Sequence, residues 1–581
     1  MKPPGDNTKT EVDFSEATKG PQLSITACLV VGSLLIKIIL PFQKLTFLLA
    51  FTVFIADLGS FQFGYTISVL NAPEQELQKF YNESYFHLFG EELGSDQSTL
   101  LWSCTVSIYC LGGLFGSLLV GPLTGSFLGR KWTMVCINLL SVSGALLMWG
   151  SHMQTSFQMI IVGRTIMGVH NGCAIGVVPM YLSEVSPPNL RGAIGVTHQL
   201  FITIGILVSQ IFGLQQILGN EDLWPYLLGF YVIPAVLQSV VMMFLPESPR
   251  CLLIDKDNEE ASRKALKILQ GSHVNIDVAI QEMRHEHENE MSEPRMSLLA
   301  LLKSRSVRPQ LMVCVLVMLG QQFSGVNAIF FYSTSIFLQA GVPAEYSDYA
   351  TIGVGGINVL MTVVSVMVID KAGRKALLLW PVAFMAFSFA ILTVTLGLTE
   401  NLYCECGCAQ GRWPTGVLDS AGSCIFPTVE TVTGIPTPSL TMSTAAPYEN
   451  PYQWIAYLSI VFIILFIIAF AIGLGPIPFI ITGEMFRQGA RPAAYMIIGS
   501  TNLVANGIVG LVFPILQARI GAFTFLIFMA VCVLLCIFVA VKVPETKNKT
   551  FEDIQKLFGV QDDAEMPNGI QNAAFASTTY L

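Results

Sequence analysis

Glu184-Val-Ser-Pro-Pro-Asn-Leu-Arg191 and Glu484-Met-Phe-Arg-Gln-Gly-Ala-Arg491 are one device written twice, 300 residues apart: an acid and an arginine seven positions apart, each closing a long apolar run. Two further pairs repeat around them. Gly129-Arg130-Lys131 answers to Gly373-Arg374-Lys375, and Pro246-Glu247-Ser248 answers to Pro544-Glu545-Thr546. The first of these is offset by 244 residues and the second by 298, so about 55 residues are inserted late in the second copy, between Glu400 and Tyr452. A chain doubled in this way, with apolar runs between the repeated signals, predicts two related helical halves facing a shared midplane, which is the plan of a transporter.

The apolar runs are long enough to span a bilayer. Twelve segments, 45–70, 98–121, 133–151, 156–182, 193–214, 224–245, 309–338, 350–369, 377–398, 454–482, 494–515 and 521–541, each approach the roughly 20 residues that a 30 Å hydrocarbon core requires. The expected fold is therefore all-α, with twelve transmembrane helices in two pseudo-symmetric six-helix bundles. Of the 581 residues 52% are hydrophobic and 12% charged, about half the charge of a soluble domain. The net charge of −9 comes with no basic face, which argues against nucleic acid as a partner and leaves the lipid bilayer as the principal one. With both termini cytoplasmic, 27 of the 31 Lys and Arg fall on the inner side, which fixes the orientation.

The same pass divides the chain into a cytoplasmic N-terminus (1–44), a first bundle (45–246), a charged linker (247–308), a second bundle (309–541) and a cytoplasmic tail (542–581). Within 1–44, the apolar run Ser24 to Leu40 contains Lys37 and would invert the charge pattern as a thirteenth span, so it reads as interfacial. The linker predicts polar, amphipathic helices over Glu259 to Gln270 and Val278 to Glu290, and His285 and His287 read as solvated side chains rather than metal ligands. The outer loop 399–453 gathers Cys404, Cys406, Cys408 and Cys424. Outside the cell thiols oxidise, so disulfides are expected, and their spacing is not that of a zinc site.

Seven motifs in order carry a resemblance: Gly163-Arg164 with Gly168, Pro179-Met-Tyr-Leu-Ser-Glu184, Leu190-Arg191-Gly192, Pro246-Glu-Ser-Pro-Arg250, Gly320-Gln-Gln-Phe-Ser-Gly-Val-Asn327, Gly475-Pro-Ile-Pro478 and Val543-Pro-Glu-Thr-Lys547. Together they resemble the sugar porter family of the major facilitator superfamily, and more narrowly the animal facilitative glucose and fructose transporters, from about Leu45 to Phe558. The resemblance implies the major facilitator fold, alternating access, a hexose substrate, no cofactor or metal, no enzymatic activity and a multi-pass place in the plasma membrane. A sensor that binds sugar without moving it is the rival outside the transporter class.

Sugar hydroxyls both donate and accept, and neutral amides answer both roles. Gln199, Gln321, Gln322, Asn327, Asn358 and Asn502, with Asn506, match the family's sugar-facing positions, and Phe479 stands where glucose carriers have a Trp. On a straight helix Gln322 and Asn327 would point about 140° apart. Both reach one ligand only if the helix bends near Ser324-Gly325, and Phe330, Phe331 and Tyr332 would then form an outer gate. At the inner rim the resemblance assigns a charged gate to Arg130, Glu184, Arg191, Glu247, Arg250, Asp370, Arg374, Glu484 and Arg491, whose ion pairs between bundles lock the inner mouth while the transporter faces outward and break when it opens inward. Ser126 and Phe127 depart from the family's pattern there.

Ala471, Phe479 and Leu503 replace a Glu and two Trp of the glucose carriers; the Ala is shared with fructose-selective relatives, whereas His198-Gln199 and Tyr332 to Phe337 look like the glucose carriers. Proton-coupled relatives have an Asp directly after Phe-Gly-Tyr, where this chain has Thr66, which favours uniport. Asp57 and Arg164, counted from their helix ends, lie at similar depth (roughly 18 Å from the inner face), so an intramembrane ion pair is expected, with a displaced proton site as the alternative. Asn82-Glu83-Ser84 in the first outer loop predicts glycosylation, and the last residues, Thr579-Tyr580-Leu581, resemble a PDZ-domain ligand.

Overall fold

The computed structural model describes residues 46–124, 128–187, 190–271, 276–292, 298–304, 307–369, 372–408, 417–418, 424–425, 453–486, 490–547 and 557. The run Ser24 to Leu40, Ser126, Phe127, Asp370 and the terminal tripeptide fall outside them, as do the side chains of Arg191 and of the four outer-loop cysteines. Among the described residues eleven apolar helical runs are long enough to cross a membrane, and the last, Ala493–Lys542, is two helices joined at Gly521–Phe523. The first half comprises Phe47–Ser68, Ser95–Thr124, Arg130–Gly150, Phe157–Val185, Arg191–Phe212 and the pair Trp224–Gly229 and Val232–Met242. The second comprises Arg308–Gln339, Ala344–Ile369, Arg374–Cys408, the pair Gln453–Ile472 and Ile477–Met485, Arg491–Ile520 and Thr524–Lys542. These are called the first to twelfth spans.

Proline explains where the spans break. Pro234 has no N–H for the carbonyl of Phe230, four residues earlier, and the sixth span is interrupted at Phe230 and Tyr231. The tenth span, read from sequence as one helix, stops at Ile472 and resumes at Ile477 around Pro476 and Pro478. The carbonyls those prolines cannot serve find other donors. Ser365 Oγ reaches Ile472 O at 3.4 Å, and Gln321 Nε2 reaches Leu474 O at 2.6 Å.

An outer helix, Glu74–Phe89, follows the first span, and the linker holds helices Glu259–Gln270, Ile276–Ser292 and Leu298–Lys303. The second linker helix begins two residues before its predicted start and ends two residues beyond its predicted end, at Ser292. The outer insert adds one small departure from an all-helical chain, an antiparallel ribbon pairing Val417–Leu418 with Cys424–Ile425.

The halves pack laterally through two seams: the second span against the eleventh, and the fifth against the eighth. Inside the first half, buried amides tie helices together as polar groups in hydrocarbon must. Asn138 Nδ2 donates to Gln238 Oε1 and to Ser239 Oγ, both at 3.0 Å; Ser141 Oγ donates to Gln62 Oε1 at 2.6 Å; His170 Nε2 lies 3.2 Å from Asn138 Oδ1. This network ties together the first, third, fourth and sixth spans.

Candidate functional site

The seventh span bends where Gln322 and Asn327 required it to. Residues Gln322–Val326 form a π-helical turn, and Gly325 takes φ +86°, a left-handed conformation that side chains resist. A Cβ at this position would also meet the Phe528 ring at 2.8 Å and Phe389 at 3.0 Å. The wider turn brings residues five apart onto one side. Asn327 Nδ2 donates to Gln322 Oε1, Gln322 Nε2 donates to Gln321 Oε1 at 3.0 Å, and Gln321 Nε2 ends the chain on Leu474 O and Gly475 O at 2.6 and 3.0 Å. The proline break of the tenth span therefore anchors a relay of three amides on the seventh. Each amide keeps lone pairs or N–H groups for a polyhydroxylated ligand.

Asn502, on the eleventh span, turns its amide to Met318 Sδ at 3.3 Å, and Asn506 Oδ1, one turn on, is buried without a hydrogen-bond partner. Asn358 is buried on the eighth span and Gln199 half-buried on the fifth, next to His198, whose Nδ1 lies 2.6 Å from Ser60 Oγ. Phe479 packs at the edge of the core while its carbonyl accepts from Tyr495.

Above the relay the two halves are joined on the outer side. Tyr332 leaves helical geometry (φ −134°, ψ 20°), its hydroxyl donates to Gly510 O at 2.9 Å, and its ring stacks on Phe513 at 5.4 Å. The amide of Thr334 turns from the helix to Asn71 Oδ1 (3.2 Å), and the Phe330 carbonyl it would have served accepts instead from Asn71 Nδ2 (3.1 Å) and Ser68 Oγ (3.3 Å). Asn71 Nδ2 also reaches Ser333 Oγ at 2.6 Å, and Ser335 Oγ donates to the Glu74 carboxylate. Phe331 meets Tyr109 of the second span edge to face at 6.3 Å. Asn71, Glu74, Ser333 and Ser335 were not singled out from sequence. The only signal was an asparagine and a glutamate just past the end of an apolar span.

The inner rim carries the expected charges beneath a shut outer gate. The ion pairs seen there join elements of the same half. In the first half Arg130 Nη2 meets Glu184 Oε1 at 2.9 Å and Arg130 Nη1 meets Asp255, while Ser248 Oγ donates to the other Glu184 oxygen. In the second Arg374 Nη2 meets Glu484 Oε1 at 3.0 Å, and Thr546 Oγ1 donates to the other Glu484 oxygen. Glu247 accepts from the backbone N–H of Lys131 at 3.0 Å, and Glu545 from those of Arg374 and Lys375 at 2.8 and 3.1 Å, capping helix N-termini where negative charge is favoured. Glycine makes that approach feasible: a Cβ on Gly129 or Gly373 would lie 2.7 or 2.3 Å from the capping carboxylate. Arg491 Nε donates to Phe486 O at 2.8 Å, and Arg250 precedes the π-turn Cys251–Asp255 that supplies Asp255. The repeat thus specifies a clamp within each half, because Glu184 and Glu484 each close the same six-helix unit as the arginine they meet.

The Asp57–Arg164 pair is not formed. Arg164 spends its donors on the carbonyls of Thr66 (2.9 Å), Val106 (3.0 Å) and Thr105 (3.4 Å), with its guanidinium 4.9 Å from the centre of the Tyr109 ring. Thr66 is nine residues beyond Asp57, about 13 Å along the helix, so counting from helix ends gave the wrong height. Asp57 instead accepts from Ser60 Oγ at 3.4 Å, and the Thr197 hydroxyl faces it. Asn82 is exposed on the outer helix, and Ser84 of its triplet is buried against Thr155 O at 2.7 Å.

Residues 52–409 and 431–558 match the family described as "Sugar (and other) transporter". The chain is 41% identical over 516 residues to the human "Solute carrier family 2, facilitated glucose transporter member 5", covering 89% of this chain and 93% of that one. The sheep protein of the same description is 42% identical over the same coverage. Among solved structures, the xylose transporter XylE from E. coli in an inward-open conformation superposes with a TM-score of 0.64 at 22% identity, covering 88% of this chain and 99% of that one. Its partially occluded inward-open form gives 0.65 at 22% identity, covering 87% and 100%. At that identity the likeness speaks for the fold, a twelve-span major facilitator arrangement.

Proposed function

Because the chain belongs to the sugar transporter family, we propose that it moves a hexose, glucose or fructose or both, down its gradient by alternating access. The observation that carries this reading is the amide relay Asn327–Gln322–Gln321, held by a proline break and lying beneath an outer gate that is shut. Relatives described as facilitated glucose transporters, 41–42% identical over most of their length, support the facilitative part. Ala471 and Leu503, both buried, stand where a Glu and a Trp would add hydrogen bonds and stacking surface, which tilts the choice of sugar toward fructose.

Uniport rests on Thr66. Its hydroxyl donates to Gln62 O at 2.9 Å and cannot ionise, and its carbonyl is occupied by Arg164. On the same reading the protein resides in the plasma membrane with both termini inside, carries a glycan at Asn82 and closes disulfides among Cys404, Cys406, Cys408 and Cys424. Uptake of labelled fructose and glucose into proteoliposomes, with and without a pH gradient, tests the proposal. Uptake of at least one hexose is expected in both conditions, with no proton movement coupled to it. Binding without flux would make the protein a sensor, and sugar-driven alkalinisation would make it a symporter.

A further inference from the structure

The carboxylate of Glu74 sits where no cation neutralises it. It opens the outer helix just beyond the first span, faces the outer half of the seventh span, and accepts from Ser335 Oγ across the gap between the two halves. Gln78 Nε2 donates to its other oxygen at 3.0 Å, and the buried indole N–H of Trp102, from the second span, faces the carboxyl without closing a hydrogen bond. The titratable groups around it bring no balancing charge. Glu76 and Lys79, on its own helix, pair with each other at 3.0 Å in the open. The seventh span presents the Tyr332 hydroxyl, committed to Gly510 O, and the second span presents the Cys104 thiol. Asp348 of the eighth span lies behind Thr334, 3.4 Å from its hydroxyl, and Arg164 is held deeper by three carbonyls. Among the described residues Glu74 has no ion pair.

We propose that the Glu74–Ser335 contact is a latch on the outer gate, and that protons from the outer solution tighten it. The inference rests on the transport reading above. A carboxylate shut between two halves against neutral donors is unfavourable when charged, and opening the gate returns it to water. Burial raises the closed-state carboxyl from its ordinary 4.5 to about 7, with the Ser335 hydroxyl opposing the rise. The sign follows from linkage: the group binds its proton more tightly when the gate is closed, so closure strengthens as pH falls through about 7 and levels off near the ordinary value. Between pH 8 and pH 6 the closed-to-open ratio rises about tenfold. The proton comes from and returns to the outer side, so the latch regulates cycling without moving protons across the membrane. Gln at this position would keep the hydrogen bonds and lose the response.

A cysteine at the gate itself, where the Ser68 hydroxyl meets the Phe330 carbonyl, reads this without any sugar. Ser68→Cys in the full chain, reconstituted in liposomes, is labelled from outside by a membrane-impermeant maleimide at external pH 8 and pH 6, and the rate is divided by that of Ser68→Cys with Glu74→Gln to cancel thiolate chemistry. The ratio is expected to fall about tenfold between the two pH values. Ser335→Ala, which removes the donor, is expected to label faster at pH 8. A ratio independent of pH, or an equal response in the Glu74→Gln background, overturns the latch. Uptake of labelled glucose and fructose is measured on the same vesicles: a pH-dependent ratio with no hexose uptake overturns the transport reading alone, and hexose uptake with a constant ratio overturns the latch alone.

Discussion

Gly325→Ala strikes the one backbone position on which the amide relay depends. An L-residue held at φ +86° costs about 1–2 kcal/mol, and the added methyl, 2.8 Å from Phe528 and 3.0 Å from Phe389, must displace rings that pack against each other at 5.9 Å. Overpacking of that kind costs about 1–3 kcal/mol, so the variant should lose roughly 2–5 kcal/mol. Straightening the seventh span relieves part of that loss. Straightening returns Gln322 and Asn327 to about 140° apart and breaks the relay. Stability and hexose affinity should therefore fall together. Thermal unfolding and equilibrium binding of labelled hexose, both on detergent-purified protein, read the two losses. Adding Phe528→Leu should restore the packing part of the stability and leave the affinity low. A Gly325→Ala protein with unchanged unfolding and unchanged affinity would refute the claim that the bend makes the site.

Gln322→Leu leaves Gln321 Oε1 without its donor and Asn327 Nδ2 without its acceptor, and a buried polar atom left unpaired costs about 1–3 kcal/mol, so competition by unlabelled hexose should weaken roughly 5- to 150-fold. Arg374→Leu leaves Glu484 with the Thr546 hydroxyl but no cation; exchange of labelled hexose should slow while binding remains measurable, with Arg374→Lys recovering in part. Arg164→Leu strands three carbonyls inside the bilayer, and yield of folded protein on size-exclusion should drop sharply. Asp57→Asn should neither rescue nor worsen that variant beyond simple addition, because the two side chains do not form a pair.

The chain announced its helices and much of its chemistry, and withheld how those helices stand against one another. Span positions, the need for a bend at Ser324-Gly325 and the duplicated Gly-Arg-Lys and Glu signals follow from hydropathy, from the 100° step of a helix and from spacing within one segment. The partners of Arg130, Arg374 and Arg164 depend on the height and rotation of one helix against another. Spacing along a single segment does not carry that information, and the Asp57–Arg164 pair failed for that reason. The outer latch was hidden differently. Asn71 and Glu74 lie past the end of the apolar run, where polar residues are ordinary, and their meaning appears only when the flap of the seventh span is seen to turn its Phe330 carbonyl and Thr334 amide toward them.

Glu247 and Glu545 each cap a helix of their own half, and Glu184 and Glu484 each hold an arginine of their own half. The contacts seen for each clamp come from its own half and the segment that follows it. The stretch between Gly271 and Leu298 fixes stoichiometry, one copy of each half per molecule, and leaves architecture to the two lateral seams.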